Sequence, residues 1–133
     1  MNKFLFISPE TSLVLLRISL AIIFLAHSVV RIANGSIWQF GDFMSEKGFP
    51  YGIIWVFGIT AFEIIGGILL LFGYFTKVIS AGFILLLIVG IIIIHASLGW
   101  FVGEHGTGGI EYSFILIMAF LVVASVNFNK KTG

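Results

Sequence analysis

The stretch ILLLIVGIIII (residues 84–94) decides the fold class, because only Gly90 in it lies outside the branched aliphatic residues. It belongs to an apolar run over about 77–98, and a helix needs about 20 mostly apolar residues to cross a bilayer. A membrane β-barrel would instead show short segments of alternating polarity. Because lipid cannot satisfy exposed backbone groups, the run predicts a transmembrane helix.

Three further apolar runs, at about 11–33, 51–72 and 109–128, have the same length and character. Ser8, Pro9 and Glu10 mark the start of the first run as an N-cap, a first-turn proline and a first-turn acid. Four spans with short connections leave no room for a second domain in 133 residues. The sequence therefore predicts a single all-α domain over 1–133, an antiparallel four-helix transmembrane bundle.

The composition excludes several other classes of protein. Hydrophobic types make up 59% of the chain and charged types 10%, whereas about a quarter of a soluble domain is charged. A core of this size cannot hide so much apolar surface from water, and a disordered chain would be poor in it. The net charge of +1 argues against nucleic acid as a partner, and the absence of cysteine excludes disulfides and thiolate metal sites.

Lysines and arginines predict the orientation, because cytoplasmic loops carry an excess of both. Four of them fall on one side of the membrane and two on the other: Lys3, Lys77, Lys130 and Lys131 against Arg31 and Lys47. We therefore expect both termini in the cytoplasm, in a multi-pass protein of the cell's inner (plasma) membrane. Its first partner is the lipid bilayer, and the loops around Asp42 and Glu104 face outward.

Ionisable side chains within a span are candidates for function, because facing lipid costs them a few kcal/mol. Arg17, His27 and Arg31 lie on the first span within an arc of roughly 80°. Three polar residues on one face of an apolar helix indicate the side that faces the bundle interior. For Arg31 a second interpretation stays open, in which its side chain snorkels to the outer headgroups.

Glu63 lies in the middle of the second span, where a lone carboxylate must pair or stay protonated. Arg17 is the cation at matching depth if the first two spans are aligned by their ends. We therefore expect a structural ion pair between Arg17 and Glu63 that joins these spans. Gly66 and Gly67 follow directly and would allow the helices to approach closely.

The best candidate site lies toward the outer side, where three spans bring polar residues to similar depth. His27, His95 and Glu111 are the candidate catalytic residues, because a histidine beside an acid can transfer protons near neutral pH. Arg31 and Tyr112 could hold a carbonyl or phenolate oxygen of a ligand. Without a local spacing motif we expect no metal site and no haem, and a hydrogen-bonded network that only fixes packing remains the alternative.

The polar residues and their neighbours resemble the DoxX family of small four-helix bacterial membrane proteins. The resemblance covers roughly residues 13–121 and rests on Leu15-Leu16-Arg17, His27, Ala61-Phe62-Glu63-Ile64-Ile65-Gly66-Gly67, His95 and Gly108-Gly109-Ile110-Glu111-Tyr112. Such families often carry lysine after the first-span histidine, where this chain has Arg31, which keeps the charge and changes the geometry. The resemblance implies a role near respiratory or thiol redox chemistry, with relatives linked to quinone reduction and to oxidative-stress complexes.

Together these observations favour a redox-associated membrane subunit that binds a quinone or a similar small ring-shaped molecule. If the protein is an enzyme, we expect a subunit of a quinone-linked oxidoreductase. The sequence has no cofactor-binding motif of its own, so a partner or the quinone would carry the electrons. One alternative is a non-catalytic scaffold of a redox or stress-response complex, which docks a membrane or extracytoplasmic protein partner. Another is a small-molecule transporter, which would have to act as a homo-oligomer because four helices offer little room for alternating access.

Overall fold

A computed structural model describes residues 7–100 and 109–128, and within these ranges the chain is helical without a β-strand. The helices are α1 (Pro9–Ala33), α2 (Ile37–Glu46), α3 (Gly52–Phe72), α4 (Thr76–Gly90) and α5 (Glu111–Ala124). α4 continues into a π-helical turn over Ile91–His95 and a 3-10 turn over Ala96–Leu98. The long helices thus occupy the four apolar runs of the sequence.

Three helical segments are long and apolar enough to cross a membrane: Pro9–Ala33, Gly52–Phe72 and Thr76–His95. Most residues of each segment are not buried within the protein, and large aliphatic and aromatic side chains cover their outer faces. α5 is equally apolar, but its 14 residues are fewer than the roughly 20 that a crossing needs. The described part of the chain is therefore a membrane-type helical fold with three clear spans.

The start of α1 carries the cap that the sequence predicts, and α3 ends in a glycine turn. The Ser8 side chain accepts a hydrogen bond from the Thr11 N–H at 3.1 Å, with Pro9 in the first helical position. α3 ends at Gly73, whose φ of +84° is left-handed. The Gly73 N–H donates to the Leu70 carbonyl at 3.1 Å and the Tyr74 N–H donates to the Leu69 carbonyl at 2.8 Å, which is a Schellman ending. This ending turns the chain directly from α3 into α4.

α2 was not predicted, because the segment between the first two spans was expected to be an outer loop. It packs against the first turn of α3, where Ser45 Oγ accepts a hydrogen bond from the Gly52 N–H at 2.9 Å. Any Cβ at Gly52 would collide with the Gly41 carbonyl oxygen, so two glycines permit this approach. Met44 is buried and Phe40 half-buried, which places the apolar face of α2 inward.

Three buried phenylalanine rings join α1 to α4 and α5. The centroid of Phe24 lies 4.5 Å from that of Phe83 and 5.6 Å from that of Phe120. Phe83 and Phe120 stack at 5.2 Å. α1 packs most extensively on α3, and α4 on α5, whereas α3 and α4 diverge after their tight turn. This divergence leaves an open space between α3 and α4.

Candidate functional site

A buried ion pair joins α1 to α3 within the apolar bundle. Arg31 Nη1 lies 2.8 Å from Glu63 Oε1, and the two side chains are 15% and 6% exposed. The same Arg31 Nη1 donates to Thr60 Oγ1 at 2.9 Å, and Ser28 Oγ donates to Glu63 Oε1 at 2.7 Å. We call Ser28, Arg31, Thr60 and Glu63 the Glu63 cluster. The hydrogen bonds and the ion pair within the cluster give each of the two charges a partner, which a charge buried in an apolar bundle requires.

The predicted ion pair between Arg17 and Glu63 is wrong, because Glu63 pairs with Arg31. α1 and α3 run antiparallel, so a contact further along α1 must meet an earlier residue of α3. Ser28 and Arg31 face Glu63 and Thr60, and Arg17 therefore lies opposite the end of α3. Arg17 precedes Arg31 by 14 positions, which is about 21 Å along a helix. That separation puts Glu63 out of its reach.

Arg17 instead binds the carboxyl end of α3. Its Nη2 donates to the Leu71 carbonyl at 3.2 Å, and its guanidinium lies 4.7 Å from the centre of the Phe128 ring. The last carbonyls of a helix lack partners within the helix and carry partial negative charge, so a cation there is favourable. Arg17 Nε is buried and has no hydrogen-bond partner in the described ranges. The residue thus ties three parts of the bundle together at the end away from the Glu63 cluster.

The inward face of α1 only partly agrees with the predicted arc. Arg17 is buried and Arg31 points inward to Glu63, so Arg31 does not snorkel to the headgroups. His27 lies at the edge of the arc and is exposed, with its ring centroid 6.0 Å from that of Phe24. The buried face is centred near Phe24 and Ser28, and a residue at its edge is turned toward the surroundings.

The other candidate residues lie elsewhere in the structure. His95 ends the π-helical turn and is half-buried, while Glu111 opens α5 beside the exposed Tyr112. Glu111 and Tyr112 line a surface cavity of about 390 Å³ with Trp100, whereas Arg31 lines a different cavity. The structure therefore separates the two expected ligand-binding residues. The catalytic roles of His27, His95 and Glu111 stay predictions, and Glu104 and His105 fall outside the described residues.

The cavity beside the Glu63 cluster, which we call the inner cavity, has a volume of about 150 Å³. Arg31 and Glu63 form its polar wall, and the rest is apolar, with the rings of Phe24 and Phe40 among the lining groups. A dry cavity of about this size in another protein holds a benzene molecule. The inner cavity is thus large enough for one six-membered ring that faces a guanidinium and a carboxylate.

The π-helical turn forms part of this cavity wall. Gly90, Ile93 and Ile94 line the cavity at the point where α4 changes from α- to π-helical geometry. Single π-turns within α-helices are frequent at functional sites. Within residues 7–100 and 109–128, no three histidine or acidic side chains come close enough to hold a metal ion.

Comparison with known proteins identifies the relatives of this chain. The DoxX family model matches residues 12–96. The chain belongs to the DoxX family. It is similar to a Bacillus subtilis (strain 168) protein named "Putative oxidoreductase CatD", with 31% identity over 126 residues that cover 93% of this chain and 82% of the relative. No solved structure matches the chain.

The DoxX match confirms the family resemblance, and the matched residues include one of the two candidate sites but not the other. All four members of the Glu63 cluster, the inner cavity and the π-helical turn fall within the matched residues, whereas Glu111 and Tyr112 lie beyond them. Sequence analysis did not single out Ser28 or Thr60 as site residues. Their signal was present: each hydroxyl stands three positions before a charged residue, so both pairs share a helix face.

Gly66 and Gly67, expected to aid packing in this DoxX chain, face two different neighbours. A Cβ at Gly67 would lie 2.8 Å from Leu25 Cγ on α1, so this glycine lets α1 approach α3. A Cβ at Gly66 would lie 3.4 Å from Ile79 on α4, which is close to ordinary contact. Gly67 is therefore the position that brings Ser28 and Arg31 within hydrogen-bonding distance of α3.

Proposed function

We propose that this DoxX protein is a membrane subunit that binds the ring of a quinone, or of a similar small ring-shaped molecule, in the cavity beside the Glu63 cluster. The observation that carries the proposal is the Arg31–Glu63 pair in the wall of an apolar cavity of about 150 Å³. The name of the Bacillus relative, an oxidoreductase, supports a redox setting for such a ligand.

The cluster has the donors and acceptors that a quinone or quinol oxygen needs. In the described ranges, the hydrogen bonds from Arg31 to Thr60 and Glu63 both come from Nη1. The N–H groups of Nη2 and Nε can therefore donate hydrogen bonds to a ligand carbonyl. The hydrogen bonds that reach Glu63 in the described ranges end on Oε1, which leaves Oε2 to accept a hydrogen bond from a quinol hydroxyl. A guanidinium beside a carboxylate thus suits both the oxidised and the reduced form of the ring.

The same chemistry defines what this chain contributes to a redox reaction. Reduction of a quinone to a quinol takes two electrons and two protons. Glu63 supplies a proton-exchanging group at the ring, and a partner oxidoreductase supplies the electrons. His27, His95 and Glu111 are our candidates for passing protons between the site and the outer side.

We further propose the topology that this function requires. Four antiparallel helices cross the inner membrane with both termini in the cytoplasm, and the fourth crossing extends over residues 109–128, which include α5. In this arrangement α1 runs outward, so Arg31 and Glu63 lie toward the outer side of the bundle. The bias of lysines toward one side supports this orientation.

A scaffold subunit without a ligand is the second candidate function. One observation favours it: the members of the Glu63 cluster satisfy one another within the protein. Such a network could serve only to fix how α1 packs on α3, while the outer segments dock a protein partner. The two functions differ in whether a ring compound binds at the cluster.

A binding titration with matched variants tests the proposal. Protein in mild detergent is titrated with 2,3-dimethoxy-5-methyl-1,4-benzoquinone by isothermal calorimetry. The double variant Arg31→Gln/Glu63→Gln keeps the pair neutral and hydrogen-bonding, and we expect its Kd to rise by at least about tenfold, or about 1.4 kcal/mol. Arg17→Gln alters a buried arginine at the opposite end and should leave the Kd unchanged. Equal affinity in all three proteins would refute binding at the cluster.

A further inference from the structure

A second cavity lies on the surface of the bundle, between α3 and α4 where the two helices diverge. We call it the α3–α4 groove; it has a volume of about 480 Å³, and its lining includes Trp55, Gly58, Ile59, Phe62, Gly82 and Leu86. All lining side chains are hydrocarbon apart from the indole nitrogen of Trp55. A groove of this composition on the face of a membrane helix pair fits a hydrocarbon chain rather than a polar ligand.

The α3–α4 groove and the inner cavity share a wall. Ile59 and Leu86 line both of them, so these two half-buried side chains are what separate the groove from the cavity beside Arg31 and Glu63. The two spaces therefore lie back to back at the same level of the bundle. Of these two residues, Leu86 has more rotamer freedom than the β-branched Ile59, so its side chain is the one better able to move aside.

The groove exists because two glycines carry no side chain there. At Gly58 no atom lies within 4 Å of the position that a Cβ would take, so the space beside it is open. At Gly82 the ring of Phe62 covers the backbone and forms the groove floor. α3 and α4 also pack on each other less extensively than α1 on α3, which keeps the groove open along its length.

We propose that the α3–α4 groove receives a hydrocarbon tail attached to the ring that occupies the inner cavity. This inference rests on the proposed function and names the class of ligand: a lipid-soluble quinone or phenol with a tail, rather than a small water-soluble ring compound. The ligand enters sideways from the bilayer between Ile59 and Leu86. The wall of Ile59 and Leu86 that the groove shares with the inner cavity is the observation that selects a tail over a separate lipid chain.

The variant Gly58→Leu tests the tail site without touching the ring site. The new side chain extends into the open space of the groove, and Gly58 does not line the inner cavity. Ala61→Leu is the matched control, because Ala61 is exposed on α3 and does not line the groove. The probes are the tailless benzoquinone and its decyl derivative, titrated into each protein in the same detergent.

We expect Gly58→Leu to weaken binding of the decyl quinone by about tenfold and to change binding of the tailless quinone by less than about twofold. Ala61→Leu should change neither. Unchanged binding of the decyl quinone in Gly58→Leu, or equal weakening of both probes, would overturn the tail site. If the unmodified protein binds neither probe, the proposed function itself fails, which distinguishes the two failures.

Photo-crosslinking supplies a readout that does not depend on a substitution. The unmodified protein in lipid vesicles is loaded with a benzoquinone whose tail carries a terminal diazirine, and the labelled peptides are identified by mass spectrometry. We expect labels at Trp55 and Leu85, which line the groove. Labels confined to α1 or α5 would contradict the inference, since neither helix lines the groove.

Discussion

Replacement of Arg31 by methionine should cost more stability than the same replacement at Arg17, although both arginines lie within the bundle. Without Arg31, the buried carboxylate of Glu63 keeps, among the described residues, one hydrogen bond, which comes from Ser28. Loss of one partner of a buried ion pair costs about 3–5 kcal/mol. Because Arg31 is 15% exposed and so only partly desolvated, we expect about 3 kcal/mol here. Arg17 faces helix carbonyls and an aromatic ring, so its loss should cost about 1–2 kcal/mol.

A double-mutant cycle isolates the interaction between the two charges. Glu63→Gln in the Arg31→Met background removes the unpaired charge and keeps the hydrogen bond from Ser28, so we expect it to restore about 2 kcal/mol. The free energy of unfolding is measured in mild detergent by titration with a denaturing detergent, with helicity as the signal. Effects that add within about 0.5 kcal/mol, or equal losses for Arg31→Met and Arg17→Met, would refute the pairing and the register of α1 against α3.

Two further predictions concern positions outside the charges. Gly67→Ala should destabilise the protein by about 1–3 kcal/mol, because the new Cβ would lie 2.8 Å from Leu25 Cγ. Gly58→Ala, whose Cβ meets open space, should be neutral or stabilising by up to about 1 kcal/mol. A thermal unfolding midpoint that is lower for Gly58→Ala than for Gly67→Ala would contradict this packing. Ser8→Ala should cost about 1 kcal/mol by removing the hydrogen bond that Ser8 Oγ accepts from the Thr11 N–H, and we expect faster hydrogen exchange confined to the first turn of α1. Unchanged exchange there would contradict the cap.

The long helices could be predicted because their apolar runs are uninterrupted and their ends carry local signals. Ser8 and Gly73 act within a few residues of their own position, so their roles depend little on the rest of the fold. α2 was missed because its 10 residues are too few to cross a membrane, although Ile37, Phe40 and Met44 recur at helical spacing. It becomes a helix against α3, where Gly41 and Gly52 allow contact that no local pattern reveals.

The partner of Glu63 could not be predicted because it depends on the relative depth of two helices. Alignment of the first two spans by their ends put Arg17 opposite Glu63, whereas α1 is displaced so that its last turns face the middle of α3. Residue types alone identified Glu63 as a charge that needs a partner and left Arg31 open between the bundle interior and the headgroups; the contacts between helices decided the pairing.

The most direct test of the account is to identify what the protein carries when it is extracted from its own membrane. Unmodified protein and the Arg31→Gln/Glu63→Gln variant are purified side by side in mild detergent, and organic extracts are quantified by mass spectrometry against the protein. The account predicts a quinone or related tailed ring compound near stoichiometric amount in the unmodified protein, and its loss from the folded variant. Equal amounts in both, or no ring compound in either, would contradict a ligand site at the Glu63 cluster.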